Sequence, residues 1–119
     1  MICLDTAAAL LLTSRHEGQP LVVLEALARA CPVIAYDVHY GPADMIENHR
    51  SGVLVEAGDV GALVDALVEV MGDRDRNSAM SAAALEWANA HGPDVSMQIT
   101  ADLFSELLAS APTGARRSL

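Results

Sequence analysis

The sequence predicts an α/β fold, a parallel sheet flanked by helices. Three observations carry this. The runs Ala8–Thr13 and Pro32–Tyr36 are continuous rather than alternating in their apolar character, the pattern of strands buried on both faces. Between them lies a stretch of helical period, and strand–helix–strand order implies a parallel pair joined by a right-handed crossover. Finally, 52% of the residues are apolar but only 3% are aromatic, so the core must be built from Ala, Val, Leu and Ile.

In chain order, residues 1–7 read as a lead-in, the end of a helix. Ala8–Thr13 is the first strand and Ser14–Gln19 a loop. Pro20–Ala30 is a helix with Leu21, Leu24, Leu27 and Ala28 on its apolar face. Pro32–Tyr36 is the second strand, and Gly41–Pro42 is turn chemistry leading into a short helix over Pro42–Asn48. A short third strand, Val53–Val55, follows Gly52. Asp59 caps a helix from Val60 to about Met71 whose apolar face is Leu63, Leu67 and Val70. A further helix starts at Asp75 or Asn77 and runs to Ala90, with Met80–Ala84 and Trp87 as packing residues, and a last one runs from Asp94 to about Leu108.

The chain's 119 residues make one small domain, drawn here as 1–109 with 110–119 as a disordered tail. A formal net charge of −9 argues against nucleic acid or an anionic membrane as partner, and the pair Arg116–Arg117 is too small to reverse it. Cys3 and Cys31 have no metal-ligand spacing and read as free thiols of a cytoplasmic protein. His16, His39, His49 and His91 are scattered, so no metal site is expected. There is no membrane-spanning run and no basic leader segment.

The stretch that organises the chain is Ser14–Asp37, SRHEGQPLVVLEALARACPVIAYD. Gly18 permits close approach of a ligand to the main chain, and Pro20 suits a first helical position because its missing N–H would be unpaired there. The amides of Leu21 and Val22 are then free donors at a helix start, where donors and dipole attract phosphate. Glu25 lies one turn further in, and a carboxylate there can accept from two adjacent hydroxyls, as on a ribose. Taken alone, the same residues also describe an ordinary strand–loop–helix connection with two solvated glutamates.

Glu17 and Glu25 are separated by seven residues. The run SRHEGQPLVVLEALARACPVIAYDVHYGPADMI, followed by SGVLVEAGD, resembles the donor site of retaining glycosyltransferases of family 4, in the GT-B class. The resemblance implies a Rossmann-like parallel sheet with flanking helices, the C-terminal part of a nucleotide-sugar-binding domain. It implies that Glu17 sits beside the transferred sugar as the catalytic carboxylate. Gly18, Gln19, Pro20, Leu21 and Val22 then meet the sugar and diphosphate, and Glu25 holds the ribose. The implied donor substrate is a UDP- or GDP-hexose, with no metal and no other cofactor. The segment VHYGPADMI resembles members that glycosylate wall polymers or adhesins.

Three departures from the family pattern stand out. Ala30 occupies a position that is usually Gly, and Asp44 one that is often Glu. The upstream Arg and Lys that neutralise the diphosphate have no counterpart here, because the similarity begins after them. The implied partners are therefore the nucleotide sugar and a missing N-terminal acceptor domain or partner chain, with self-association the expected behaviour of the chain alone. The alternative is a non-catalytic, truncated or degenerate nucleotide-binding or interaction domain.

Overall fold

The computed structural model describes residues 2–15, 21–38 and 41–110. They form, in order, helix α1 (Ile2–Thr6), strand β1 (Leu10–Leu12), helix α2 (Leu21–Ala28), strand β2 (Val33–Asp37), a 3-10 turn at Pro42–Asp44 and strand β3 (Gly52–Glu56). Helices α3 (Val60–Gly72), α4 (Arg74–Ala90) and α5 (Pro93–Ser110) follow. The three strands make one sheet in the order β1-β2-β3, with both pairings parallel. No helix of the described residues is long and apolar enough to cross a membrane. The chain divides into two compact units, Met1–Asn89 and Ala90–Leu119.

The first unit is layered around β2. Val33 and Ala35 point to one side of the sheet, where they pack with Leu4 of α1, with Val23, Ala26 and Leu27 of α2, and with Ala84 of α4. Ile34 and Tyr36 point to the other side and pack with Val53, with Leu63, Ala66 and Val70 of α3, and with Met80 of α4. All four β2 side chains are at most 5% exposed. A strand covered on both faces has no polar side to alternate with, which is why the run is apolar throughout.

Gly52 sets how closely β3 can approach. It is in register with Val33, and a Cβ there would lie 2.1 Å from the Val33 carbonyl oxygen and 2.9 Å from Ile46 Cγ2. The outer edge of β3 is blunted by its own preceding loop. The His49 amide donates to the Gly52 carbonyl at 2.8 Å, and the Leu54 amide donates to Asn48 Oδ1 at 2.9 Å. The buried Ser51 hydroxyl accepts from the Glu47 amide at 2.9 Å. Arg50 bridges Glu47 and Glu86, at 2.5 and 2.9 Å, and so ties this loop to α4.

Several expectations are corrected. The buried face of α2 is Val23, Ala26 and Leu27, whereas Leu21 is 64% exposed and Ala28 is exposed. A run in which nearly every residue is apolar shows no contrast from which to read the inward face. The segment after Gly41 closes as a 3-10 turn rather than a helix to Asn48, because Asn48 is drawn into a bridge with Gly52. Asp73, not Asp75 or Asn77, opens α4, its carboxylate accepting from the Arg76 amide at 3.0 Å. β1 is shorter than expected and is the edge strand, with Leu11 42% exposed.

The end of α2 shows the consequence of Ala30. Cys31 N–H donates to the Ala26 carbonyl at 2.8 Å and Ala30 N–H to that of Leu27 at 3.0 Å. This is the double bond of a Schellman cap, whose penultimate residue is left-handed, and Ala30 has φ 55°. Cys31 is buried behind the cap. Burial pushes its thiol pKa up, and a backbone hydrogen bond involving Leu10 pulls it down. Cys31 is thus a packing residue rather than a nucleophile.

Two outcomes are expected. Ala30→Gly should stabilise the fold by about 0.5–1 kcal/mol, since relief of the left-handed strain exceeds the added freedom of the unfolded chain. An unchanged or lower midpoint in urea would show that the cap is not strained. The second concerns the outer edge of β1. Leu10 donates to the Pro32 carbonyl at 2.8 Å, so the N–H and C=O of Leu11 face away from β2. An open apolar edge recruits other strands, so the 119-residue chain should sediment above monomer mass at micromolar concentration. A compact, cooperative monomer would show that the edge is closed.

Candidate functional site

In open α/β sheets, ligands bind beyond the carboxyl ends of the strands. Here that edge carries Arg15 after β1, the start of α2, Asp37 at the end of β2, and Glu56 with Gly58 after β3. Asp37 and Glu56 are register partners and both are exposed. Asp59 is committed locally, its carboxylate accepting from the Ala62 amide at 2.9 Å as the cap of α3.

The start of α2 supplies the donors. Leu21 opens the helix, so the amides of Leu21 and Val22 have no acceptor a turn earlier in the helix. Val22 is half-buried and packs against the core, while Leu21 is exposed and offers mainly its backbone. Glu25 is four residues on from Leu21 and so shares its face, one turn along. It is exposed and forms no ion pair among the described residues. The structure thus brings Leu21, Val22 and Glu25 together at one end of one helix. Glu17, Gly18, Gln19 and Pro20 lie outside the described residues, as do His16, His39 and Tyr40.

Arg15 was not singled out by sequence reasoning. Its guanidinium crosses the carboxyl edge to the turn after β3, where Nη2 lies 3.3 Å from the position a Cβ would take on Gly58. Gly58 has φ 88°, a conformation that favours glycine. The signal available in sequence was indirect: the chain has seven cationic side chains, all of them arginine, and Arg15 lies in the expected loop Ser14–Gln19, two residues before Glu17.

Concavity points elsewhere. A cavity of about 440 Å³ lies beside α1 and the start of α4, lined by Leu4, Asp5, Arg29, Arg74 and Asn77 among others. It adjoins the amino end of β1. Its walls are tied to each other by the Arg29–Asp5 pair at 2.6 Å and by Asn77 Nδ2 donating to the Ala8 carbonyl at 2.7 Å. The carboxyl edge is the stronger candidate because a helix start whose first amides have no acceptor within the helix, an exposed carboxylate and an arginine all lie along it. Among the described residues no three His, Cys, Asp or Glu side chains are placed to hold a metal ion.

Comparison with known proteins gives a consistent result. Residues 1–87 match the family model for glycosyl transferases group 1. An exopolysaccharide phosphotransferase of Streptomyces coelicolor is 35% identical over 104 residues, covering 86% of this chain and 11% of its own length. A D-inositol 3-phosphate glycosyltransferase of Corynebacterium urealyticum is 36% identical over 109 residues, covering 92% of this chain and 24% of its own. Among solved structures, TarM superposes with a TM-score of 0.77 at 27% identity, over 87% of this chain and 21% of that one. An S. aureus TarM variant in complex with fondaparinux, alpha-GlcNAc-glycerol and UDP superposes with a TM-score of 0.70 at 30% identity, over 72% and 17%. The chain therefore spans no more than about a quarter of the length of these proteins.

Proposed function

Because the chain belongs to the group 1 glycosyl transferases, we propose that it forms part of the nucleotide-sugar site of a retaining enzyme of family 4. The complete protein moves a hexose from a UDP- or GDP-sugar to an acceptor and works in the cytoplasm. The observation that carries this reading is the start of α2 at the carboxyl edge of a parallel sheet, with Glu25 exposed one turn inside it.

The roles follow from that placement. The amides of Leu21 and Val22, together with the loop Gly18, Gln19 and Pro20, meet the diphosphate and sugar. Charge grows on the nucleoside diphosphate as the glycosidic bond breaks, and preoriented amides at a helix start stabilise it without reorganising. Glu25 accepts from the two ribose hydroxyls. Glu17 is assigned to the face of the transferred sugar. No metal is required in this scheme, since helix dipole and cationic side chains offset the charge. A UDP-bound TarM variant is among the similar structures, which makes UDP the first nucleotide to try.

Titration of the 119-residue chain with UDP, followed by NMR, tests the reading. Resonances of Leu21, Val22 and Glu25 should move together. Glu25→Ala should weaken UDP by about 1–3 kcal/mol, roughly 5- to 150-fold in Kd, the scale for loss of a charged hydrogen-bond partner. Unchanged affinity would remove Glu25 from the site. The chain by itself should show no measurable sugar transfer, because a dry, charge-compensated cleft needs the acceptor half of the protein. Robust turnover of UDP-glucose or UDP-GlcNAc by the 119-residue protein would overturn that.

A further inference from the structure

We infer that the cavity at the amino end of β1 is a second ligand site, shaped for a phosphate group carried on a small organic molecule. The inference does not depend on the donor-site reading, because the cavity lies at the other end of α2.

Place and size come first. Arg29, which directly follows α2, and Arg74, the first residue of α4, both line this cavity of about 440 Å³. At 1.5 Å per residue, about 12 Å separates Leu21 from Arg29, so the two ends of α2 serve different places. The volume is in the range of small-molecule pockets, about 300–1,000 Å³, and a phosphate group alone would not fill it. Leu4 and Val70, both nearly fully buried, give the remainder of a ligand an apolar wall.

The polar lining is set before a ligand arrives. Asp5 Oδ1 accepts from Arg29 Nη1 at 2.6 Å, which takes one N–H of that guanidinium and holds the rest of its fork at the cavity wall. Arg74 forms no ion pair among the described residues. Its neighbour Asp73 is turned away to the Arg76 amide at 3.0 Å. Asn77 Nδ2 donates to the Ala8 carbonyl at 2.7 Å and pins α4 to the start of β1. That contact sets Ser81, one turn further on, into the same wall as a hydroxyl donor. Two guanidiniums against the one carboxylate of Asp5 leave the lining with an excess positive charge. Arginines also complement the carboxyl ends of helices, which oppose an anion. Here the last carbonyls of α2 are already bonded by the Ala30 and Cys31 amides, which lessens that opposition. A planar guanidinium grips a phosphate through two N–H donors at once, and this hollow has two such forks on its wall.

The test uses inorganic phosphate, glycerol 3-phosphate and glycerol at fixed ionic strength. Each is titrated by NMR into the 119-residue chain and into Arg74→Gln, Arg74→Lys and Ser81→Leu, with thermal unfolding recorded for every protein. Amide resonances of Arg29, Arg74, Asn77 and Ser81 should move with both phosphates. Glycerol 3-phosphate should bind more tightly than inorganic phosphate, and glycerol should have no effect. Arg74→Gln should weaken glycerol 3-phosphate about tenfold, the scale of one hydrogen bond to a charged group, with Arg74→Lys intermediate. Ser81→Leu leaves the charges alone and fills the hollow, so it should abolish binding. If Arg74→Gln loses its fold, Arg74→Lys and Ser81→Leu decide. Shifts confined to Leu21 and Val22 would place phosphate at the carboxyl edge and overturn the inference. So would affinity unchanged by these substitutions, glycerol binding as well as its phosphate, inorganic phosphate binding as well as glycerol 3-phosphate, or no binding of either phosphate. UDP-induced shifts at Leu21 and Val22 should be the same in Arg74→Gln, so the donor-site reading stands or falls separately.

Discussion

The structure depends on β2 being buried on both faces. Val33, Ile34, Ala35 and Tyr36 have no solvated side, so each face needs its own covering layer. α1 and α2 supply one, α3 the other, and α4 reaches both through Ala84 and Met80. Covering both faces also orients the ligand edge. α2 must run back along the sheet to cover it, so its amino end is left at the carboxyl end of the strands. The placement of a helix start at that edge is thus a by-product of burying four apolar residues.

Close approach is the second constraint, and it explains two small residues that otherwise look arbitrary. Gly52 lets β3 lie against the Val33 carbonyl, where any side chain would collide. Ala30 turns the chain out of α2 in a left-handed conformation, which an L-residue tolerates at a cost of about 1 kcal/mol. The cap is nevertheless fully bonded, through Cys31 and Ala30 to Ala26 and Leu27. Alanine in place of the usual glycine has therefore kept the geometry of the helix end and raised its energy, rather than shifting it.

The legible parts of the fold were those with a strong local contrast. The apolar run of β2 bounded by Pro32 and Asp37, the Asp59 cap and the order of elements could all be read directly, as could the parallel pairing. What could not be read was direction where contrast is missing. LVVLEALA offers apolar residues on almost every side, and only the packing of Val23, Ala26 and Leu27 picks out the inward face. The length of β1 was overread for a related reason: an apolar run does not say where hydrogen bonding stops. In the site, Glu25 and the start of α2 were legible from their spacing to Gly18 and Pro20. Arg15 was not, because its significance comes from a turn more than forty residues away.

A net charge of −9, counted over the whole molecule, overstates what a diphosphate meets at the carboxyl edge. At physiological ionic strength the screening length is about 8 Å, so carboxylates on the far side of the unit contribute little at the carboxyl edge. What counts locally is a few groups. Asp59 is hydrogen-bonded to the Ala62 amide, Glu25 is assigned to hydroxyls in the reading proposed above, and Asp37 and Glu56 are exposed acids on the same edge as Arg15 and the first amides of α2. That balance leaves the edge net negative, since these carboxylates outnumber the single guanidinium and the partial charge of one helix start. An anion held at this edge therefore needs positive charge beyond these groups. In the donor-site reading proposed above, a helix start and one nearby guanidinium do not by themselves offset the charge that develops on a diphosphate as a sugar departs.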